Sequence, residues 1–458
     1  MVASSLSKKT IFIVLQKLSV VVLLCISAIG NTQGAPPLQL SLEKALEMAL
    51  EYNTDIQKSK IDTRIAQQQI KETTAIGLPQ ISASLGYQYY IDVPTSLVPA
   101  EFFGGEAGEF AEIQFGTEQN LFATATVNQI IFSGEYIVGL RAARIYREIA
   151  SHGLKRTELE VKNMITETYL LVLLTASNHN MLNENLENLE QTLFETEKIM
   201  EAGFTDPINV DQLRLTVSNM KNNISNLERQ IQVTENLLKF QIGIDLNQPI
   251  RLNESLEDLI EGLAQQTYWS SGFEPSTHID YKLASSQEAF STMVLRREQS
   301  FYLPSLSASF TRQEMAMRNE FNFLDGGFPW FPSTYFGVNL TIPIFSSGMR
   351  SSRVQQARLE LEKATLSVLQ VEQSLMMQMD KATTDFDTAM EKYNDQKENL
   401  DLAERILQRT RIMHKEGLAT SLELTQANEQ YLTTQSNYIA AMFDLLTARN
   451  DLEKALGR

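Results

Sequence analysis

Four short segments of the chain alternate between apolar and polar residues. In Gln80–Tyr89 the odd-numbered residues are aliphatic or aromatic, whereas the even-numbered ones are Ser, Gln or Gly. The same alternation recurs in residues 120–128, 305–311 and 335–342. A period of two predicts β-strands. Segments of about ten residues have the length that a tilted strand needs to cross the hydrocarbon of a bilayer.

The polar faces of these strands consist of Ser, Thr, Asn and Gln, which suits one face in lipid and the other in water. A soluble four-stranded sheet packed on helices would show the same alternation. The long loops Asp92–Gly116 and Glu314–Pro332, rich in Gly and aromatic residues, favour the membrane alternative. Because about eight strands are needed to close a barrel, we expect the chain to oligomerise, and two, three or four copies all satisfy this argument.

Two other segments predict very long helices. Residues 349–413 contain no proline, and their apolar residues recur at steps of three and four, which is typical of a coiled coil. Residues 139–200 behave likewise. Each pattern ends near a glycine, Gly203 or Gly417, and a second helical pattern then follows, which predicts two helical hairpins. Shorter helical patterns, Ser41–Ile76 and Ser276–Ser300, precede the strands.

This order of elements occurs twice. Asp55–Ser84 aligns without gaps on Asp280–Ser309, and IIFSG and EAGF in the first half correspond to PIFSSG and KEGL in the second. So long a period indicates one large duplicated unit, since solenoid repeats are far shorter. We therefore predict two structural repeats, residues 35–250 and 251–458, each with a helix, two strands and a long helical hairpin.

Residues 1–34 have the pattern of a secretory signal peptide. Three lysines precede the apolar core Leu18–Ile29, and small residues follow. Cleavage after Gly30 or after Gly34 fits this pattern, and the sequence does not choose between them. An uncleaved anchor would need about 20 apolar residues, which exceeds this core. Cys25, the only cysteine, follows a leucine where a lipoprotein signal has a small residue, so we expect no lipid anchor.

Composition and motifs predict neither an enzyme nor a metal site. The net charge of −17 disfavours nucleic acid, and the mean hydropathy of −0.18 is too polar for a bundle of membrane helices. The sequence contains no phosphate-binding glycine motif and no G-x-S-x-G. Met376, Met377 and Met379 fit helix packing. No cofactor is expected, and no metal-ligand spacing occurs among the histidines, which are His152, His179, His278 and His414.

The duplication, the paired strands, LP before a strand, IFSSG after one and the hairpin ends together resemble the TolC-like outer-membrane efflux family over nearly the whole predicted mature chain. The resemblance implies an α+β membrane protein that is an internally duplicated homotrimer. Each protomer would give four transmembrane strands to a shared barrel of about twelve. Long coiled-coil hairpins would form a periplasmic tunnel, and residues 249–272 would lie in an equatorial belt.

The resemblance also implies a function at the cell outer membrane, in contact with its lipid. The chain would be the passive exit duct of a tripartite efflux or type I secretion system. An inner-membrane efflux transporter would deliver small molecules to it through a periplasmic adaptor (membrane fusion) protein. A duct dedicated to protein or peptide export, and a coiled-coil envelope scaffold without a channel, remain alternatives.

The resemblance assigns roles to residues at the two hairpin tips. The predicted adaptor-contacting residues are Gly203, Phe204, Thr205, Gly417, Leu418 and Ala419. In the family, acids six and nine residues after the second tip glycine narrow the periplasmic entrance. Glu423 and Gln426 occupy these places, so one ring of carboxylates is expected to favour cations. The alternatives are plain helix caps for the two glycines and a surface glutamate without a role for Glu423.

Overall fold

The computed structural model describes residues 36–263 and 272–458. The predicted signal peptide and residues 264–271 of the predicted belt lie outside the described residues. The α-helices are α1 (Leu42–Tyr52), α2 (Thr54–Ile76), α3 (Gly134–Glu201), α4 (Pro207–Ile242), α5 (Leu256–Leu263), α6 (Ile279–Ser300), α7 (Met349–Lys415) and α8 (Ser421–Ala455). Of the helices in this part of the chain, none combines the length and the apolarity that crossing a membrane requires.

Within the described residues, the strands form three sheets. They are β1 (Leu38–Leu40), β2 (Gln80–Tyr89), β3 (Thr95–Pro99), β4 (Phe110–Gln114), β5 (Gln119–Phe132), β6 (Ile250–Leu252), β7 (Ser305–Arg318) and β8 (Phe331–Thr341). The largest sheet is antiparallel and has the order β2-β5-β7-β8. A short hairpin pairs β3 with β4, and a parallel pair joins β1 to β6.

The four predicted strands are confirmed, and three of them are longer than their alternation. Strand β2 has the predicted bounds, whereas β5 and β7 each run for 14 residues and β8 runs for 11. The backbone ladder continues where the pattern breaks. Phe122, which interrupts the polar side of β5, lies opposite Gly86 and Met315. Ladder pairing uses main-chain groups, so it tolerates residues that the side-chain pattern does not predict.

Along the alternating segments, the register of the large sheet mostly places apolar residues opposite apolar ones and polar residues opposite polar ones. Val127 lies opposite Ile81 on one side and Phe310 on the other, which makes an apolar row. The next row is polar, since Thr126 lies opposite Ser82 and Thr311 and its hydroxyl is 3.4 Å from the Thr311 hydroxyl. Every residue of the edge strand β2 is exposed, as is nearly all of the edge strand β8.

The helical pattern predicted for Ser41–Ile76 is two helices in the structure. Helix α1 ends at Tyr52, and α2 begins at Thr54. The side-chain oxygen of Asn53 accepts hydrogen bonds from the backbone N–H groups of Asp55 and Ile56, at 2.9 and 3.1 Å. Asn53 is the N-cap of α2, and such a cap is stable because it satisfies donors that the first turn leaves unpaired.

Contacts divide the chain into two compact units, and each unit takes segments from both predicted repeats. Of the described residues, the tip unit contains residues 36–49, 168–263 and 403–443. The sheet unit contains residues 50–167, 272–402 and 444–458, and it includes the large sheet. The repeat boundary between residues 250 and 251 remains a prediction.

The described part of the predicted belt includes Glu254, which contacts a buried tyrosine of the tip unit. The hydroxyl of Tyr169, on α3, donates a hydrogen bond to the Glu254 carboxylate at 2.8 Å. The same carboxylate oxygen accepts the backbone N–H of Leu42 at 2.8 Å. Burial, followed by the neighbouring carboxylate, raises the pKa of Tyr169, which therefore stays a neutral donor. This network fastens the start of α1 to the segment that follows β6.

Candidate functional site at the hairpin tips

The first hairpin tip turns through a left-handed glycine. Gly203 has a φ of 80° just after α3 ends at Glu201. The N–H of Gly203 donates to the carbonyl of Met200 at 2.9 Å, and that of Phe204 donates to Ile199 at 3.0 Å. This is a Schellman motif, which favours glycine because a β-carbon is strained at this φ. Phe204 points into solvent, with 85% of its surface exposed.

A carboxylate caps the helix that leaves the first tip. Asp206 accepts the N–H of Ile208 at 2.9 Å, and Pro207 occupies the first helical position of α4, where a missing N–H costs nothing. The amide of Asn209 donates to the hydroxyl of Thr205 at 3.0 Å. Thr205 thus fixes the loop to the first turn of α4.

The second tip repeats this chain reversal. Gly417 has a φ of 73°, and the N–H of Leu418 donates to the carbonyl of Met413 at 2.8 Å. The N–H of Ala419 donates to the same carbonyl at 3.2 Å. Leu418 is 69% exposed, so each tip presents one large apolar side chain directly after its glycine.

Glu423 has a structural role that our sequence reasoning missed. Its carboxylate accepts hydrogen bonds from the backbone N–H and the hydroxyl of Thr420, at 2.7 and 2.9 Å. In return, the N–H of Glu423 donates to the Thr420 hydroxyl at 3.2 Å. This is a capping box, and the T-x-x-E sequence is its known signal. The hydrogen bonds from Thr420 hold the pKa of Glu423 below its usual value, so the carboxylate is charged at neutral pH.

The start of α8 has an apolar and a polar side. Leu424 and Ala427 are buried against Leu407 of α7, with Tyr431 packed on the same cluster. Glu423 and Gln426 lie beside this cluster, and both are exposed. Residues three apart on a helix are neighbours, so Glu423 and Gln426, the two residues predicted at the periplasmic entrance, share one stripe of the helix surface.

The first hairpin combines an apolar core with ion pairs. Its core consists of Leu189 from α3 and Leu213, Val217, Met220 and Ile224 from α4. Arg214 contacts Glu197 at 2.8 Å, and Lys221 contacts Glu190 at 2.6 Å. Both ion pairs join α3 to α4, and their side chains are largely exposed, so each is worth little on its own.

The two hairpins contact each other within the tip unit. The amide of Asn185 donates to the side-chain oxygen of Gln435 at 3.2 Å, and Leu432 packs on the core of the first hairpin. Asn185 precedes Gly203, and Gln435 follows Gly417, by the same length of chain, about five helical turns. At 1.5 Å per residue, both tips therefore lie about 27 Å along the helices from this contact.

A groove of about 800 Å³ runs between α3, α4 and α8 near this contact. Its walls combine apolar side chains with carboxamides, and Glu429 is the one ionisable residue among the described residues that line it. The carboxamides that line it are those of Asn178, Asn219, Asn223, Asn226, Gln230 and Asn437. The groove can therefore offer neutral hydrogen bonds to a partner.

The structure assembles each set of tip residues as the sequence predicts, but it does not test their roles. Gly203, Phe204 and Thr205 form one loop, and Gly417, Leu418 and Ala419 form the other. Within residues 36–263 and 272–458, no group of His, Cys, Asp or Glu could hold a metal ion. Nδ1 of His278 instead accepts the N–H of Asp280 as the N-cap of α6.

Comparison with known proteins gives the family. The family model described as outer membrane efflux protein matches residues 45–243 and 284–458. The probable outer membrane lipoprotein SilC of Salmonella typhimurium is 21% identical over 425 residues, which cover 89% of this chain and 84% of SilC.

Solved structures share the fold at low sequence identity. VceC of Vibrio cholerae, an outer membrane protein, is 16% identical with a TM-score of 0.70, and the match covers 91% of this chain and 96% of VceC. The CmeC outer membrane channel of Campylobacter jejuni is 16% identical with a TM-score of 0.70, covering 93% of this chain and 90% of CmeC. CusC is 16% identical with a TM-score of 0.74, covering 93% and 95%.

These matches confirm the resemblance read from the sequence, together with the predicted α+β fold, the efflux function and the location in the outer membrane. The family match spans both halves of the chain and includes both hairpin tips. The chain belongs to the outer membrane efflux protein family.

Proposed function

We propose that the chain works as a homotrimer in which three sheets close one barrel of about twelve strands and the long helices form a tunnel. The trimer is a passive exit duct with no catalytic step. An inner-membrane transporter supplies small molecules to it through a periplasmic adaptor, and energy comes from that transporter.

The observation that carries this proposal is the large sheet. Along the alternating segments it has an apolar face and a face of hydroxyl and amide groups. Its two edge strands, β2 and β8, have outer backbone groups with no strand partner among the described residues of the protomer. In hydrocarbon, each unpaired backbone group costs several kcal/mol, so a sheet in a membrane must close on itself. Four strands are too few to close alone, and further copies supply the others.

The tip geometry supports an adaptor site. Phe204 and Leu418 are exposed on loops whose backbones are fixed by hydrogen bonds to the preceding helix, so they can bind an apolar partner without a large ordering cost. Glu423 supports a cation-favouring entrance, because the bonds from Thr420 both fix its position and keep it charged. In a trimer, three such carboxylates would surround the axis.

Planar-bilayer recording tests the duct and its entrance. Purified wild-type protein is expected to give discrete conductance steps with a preference for cations. Glu423→Gln should weaken this preference, whereas Glu429→Gln, an exposed acid further along α8, should leave it unchanged. Absence of steps from purified trimer would reject the duct. Unchanged selectivity in Glu423→Gln would reject only the gate assignment.

Adaptor binding is tested by the affinity of the purified trimer for a periplasmic adaptor protein from the same organism. Phe204→Ser and Leu418→Ser should each weaken binding about tenfold or more, as expected for an apolar anchor. Phe204→Leu keeps an apolar side chain and serves as the matched control. If both serine variants bind as the wild type does, the tips are not the adaptor site.

A further inference from the structure

The edge strands of the large sheet also bear on which residues face each other between neighbouring copies. Strands β2 and β8 must each meet a strand of a neighbouring copy if the proposed trimer is correct, and the following inference rests on that proposal. Because side chains alternate along a strand, a register that is wrong by one residue would place polar side chains in lipid. The pattern alone does not exclude a slip of two residues, which keeps the faces correct.

The internal repeat supplies the missing register. In the first repeat, Ile81 lies opposite Val127. The alignment of Asp55 with Asp280 places Ile81 on Leu306, and the alignment of Phe132 with Phe345 places Val127 on Leu340. Leu306 and Leu340 lie opposite each other in the structure. The two repeats therefore build their strand pairs in one register.

The junction between the repeats is also seen in the protomer. Strand β5 ends the first pair and β7 begins the second, and Val127 lies opposite Phe310 across this junction. In a closed ring of identical copies, the contact between β8 and the β2 of the next copy is the equivalent junction. In the same two alignments, Leu340 is equivalent to Val127, and Leu85 is equivalent to Phe310.

We propose that β8 of one copy pairs with β2 of the next copy in an antiparallel register that sets Leu340 opposite Leu85. Residues 336–341 then lie opposite residues 84–89. On the polar face, this register sets Thr341 opposite Ser84 and Asn339 opposite Gly86.

The side chains that this register brings together match in character. On the apolar face, Val338 meets Tyr87 and Phe336 meets Tyr89, two pairings of an aromatic with an aliphatic or aromatic side chain that stabilise antiparallel sheets. On the other face, Asn339 extends beside a glycine, where its amide has room. The seam between copies thus continues both the apolar and the polar rows of the protomer.

Cysteine cross-linking in outer membranes tests the register, with Cys25→Ser as the background of every variant. The two predicted pairs are Gly86→Cys with Asn339→Cys, and Ser84→Cys with Thr341→Cys. Two offset pairs, Asn339→Cys with Ser84→Cys and Asn339→Cys with Gln88→Cys, are the matched controls. No atom lies within 4 Å of a β-carbon built on Gly86, so the cysteine fits there.

After mild oxidation, the predicted pairs should give covalent dimers and trimers on non-reducing gels, about tenfold more than the offset pairs. The reason is that opposite residues have Cα atoms about 5 Å apart and diagonal ones about 7 to 8 Å, beyond the usual disulfide range. The Ser84 pair tests the same register if the Gly86 variant does not fold.

The outcomes separate the register from the proposed function. Stronger cross-linking of an offset pair contradicts the proposed register but not the proposed trimer. No cross-linking of any pair in a protein whose native mass is a trimer also overturns the register. No cross-linking in a protein that is a monomer by native mass overturns the proposed function as well.

Discussion

The two hairpin tips share one backbone conformation but carry their charged residues at different positions. Both reverse the chain through a glycine with positive φ, at 80° and 73°, and both begin the return helix at the fourth position after that glycine. At the N-cap, the first tip has Asp206 and the second has Thr420. At the third position after the N-cap, the first has the neutral Asn209 and the second has the anionic Glu423.

The stabilising contacts around the tips differ in the same way. In the first hairpin, ion pairs of Arg214 and Lys221 add to the apolar core between the two helices, whereas near the second tip Leu407, Leu424 and Ala427 form an apolar contact. The chain reversal therefore requires a glycine and an N-cap at both tips. It does not require a carboxylate at one fixed position, so the charge of Glu423 at the second tip can serve a function.

The largest expected effect comes from removing the apolar contact of the second tip. Leu424→Ala should destabilise that tip by about 2 to 4 kcal/mol, since it deletes buried methyl groups and leaves a cavity. Hydrogen exchange of peptides from residues 407–431 should rise about tenfold for each 1.4 kcal/mol. Leu422→Ala, at a half-exposed site on the same helix, should change exchange little. Equal effects of the two variants would contradict the packing described.

Changes of the tip glycines test what the two tips share. Gly203→Val and Gly417→Val should each destabilise their own tip by about 1 to 2 kcal/mol, because a β-branched residue is strained at these φ values. Asparagine tolerates this conformation better and is the control at each site. Hydrogen exchange should show similar losses at both tips, and a clear difference between them would mean that the two reversals are not equivalent.

Changes of the caps test what differs. Thr420→Ala should destabilise the start of α8 by about 1 kcal/mol, and Asp206→Ala should have a similar effect on α4. Thr420→Ser keeps the hydroxyl and should behave as the wild type. If Thr420→Ala leaves exchange in α8 unchanged, the bonds to Glu423 do not stabilise the helix.

The smallest expected effect is a dependence on pH at the second tip. The pKa of Glu423 is lowered in the folded chain, so its contribution is present above the pKa of the unfolded chain and is lost as the pH falls through the folded value. The difference in thermal midpoint between wild type and Glu423→Gln should therefore shrink on acidification. A difference that stays constant from neutral to acidic pH would contradict this assignment.

Local features of the fold were predictable because they depend on neighbouring residues. The alternation of Gln80–Tyr89 gave the bounds of β2, and Gly203 and Gly417 marked the two chain reversals. The break at Asn53 was not predicted, since the helical pattern continues through it and only the cap shows where one helix ends. The role of Glu423 in a capping box was missed although T-x-x-E is a local signal.

The sequence by itself determined the four strands of the large sheet, the long helices, the duplication and the family, because these follow from periods and repeated segments that are visible along the chain. Only the tertiary structure decided that β5 pairs with β7, that Glu254 binds Tyr169, and that Asn185 meets Gln435. In these contacts the partners are far apart in the chain, and many side chains offer the same chemistry. Which of them meet depends on the packing of the whole protomer rather than on any local pattern.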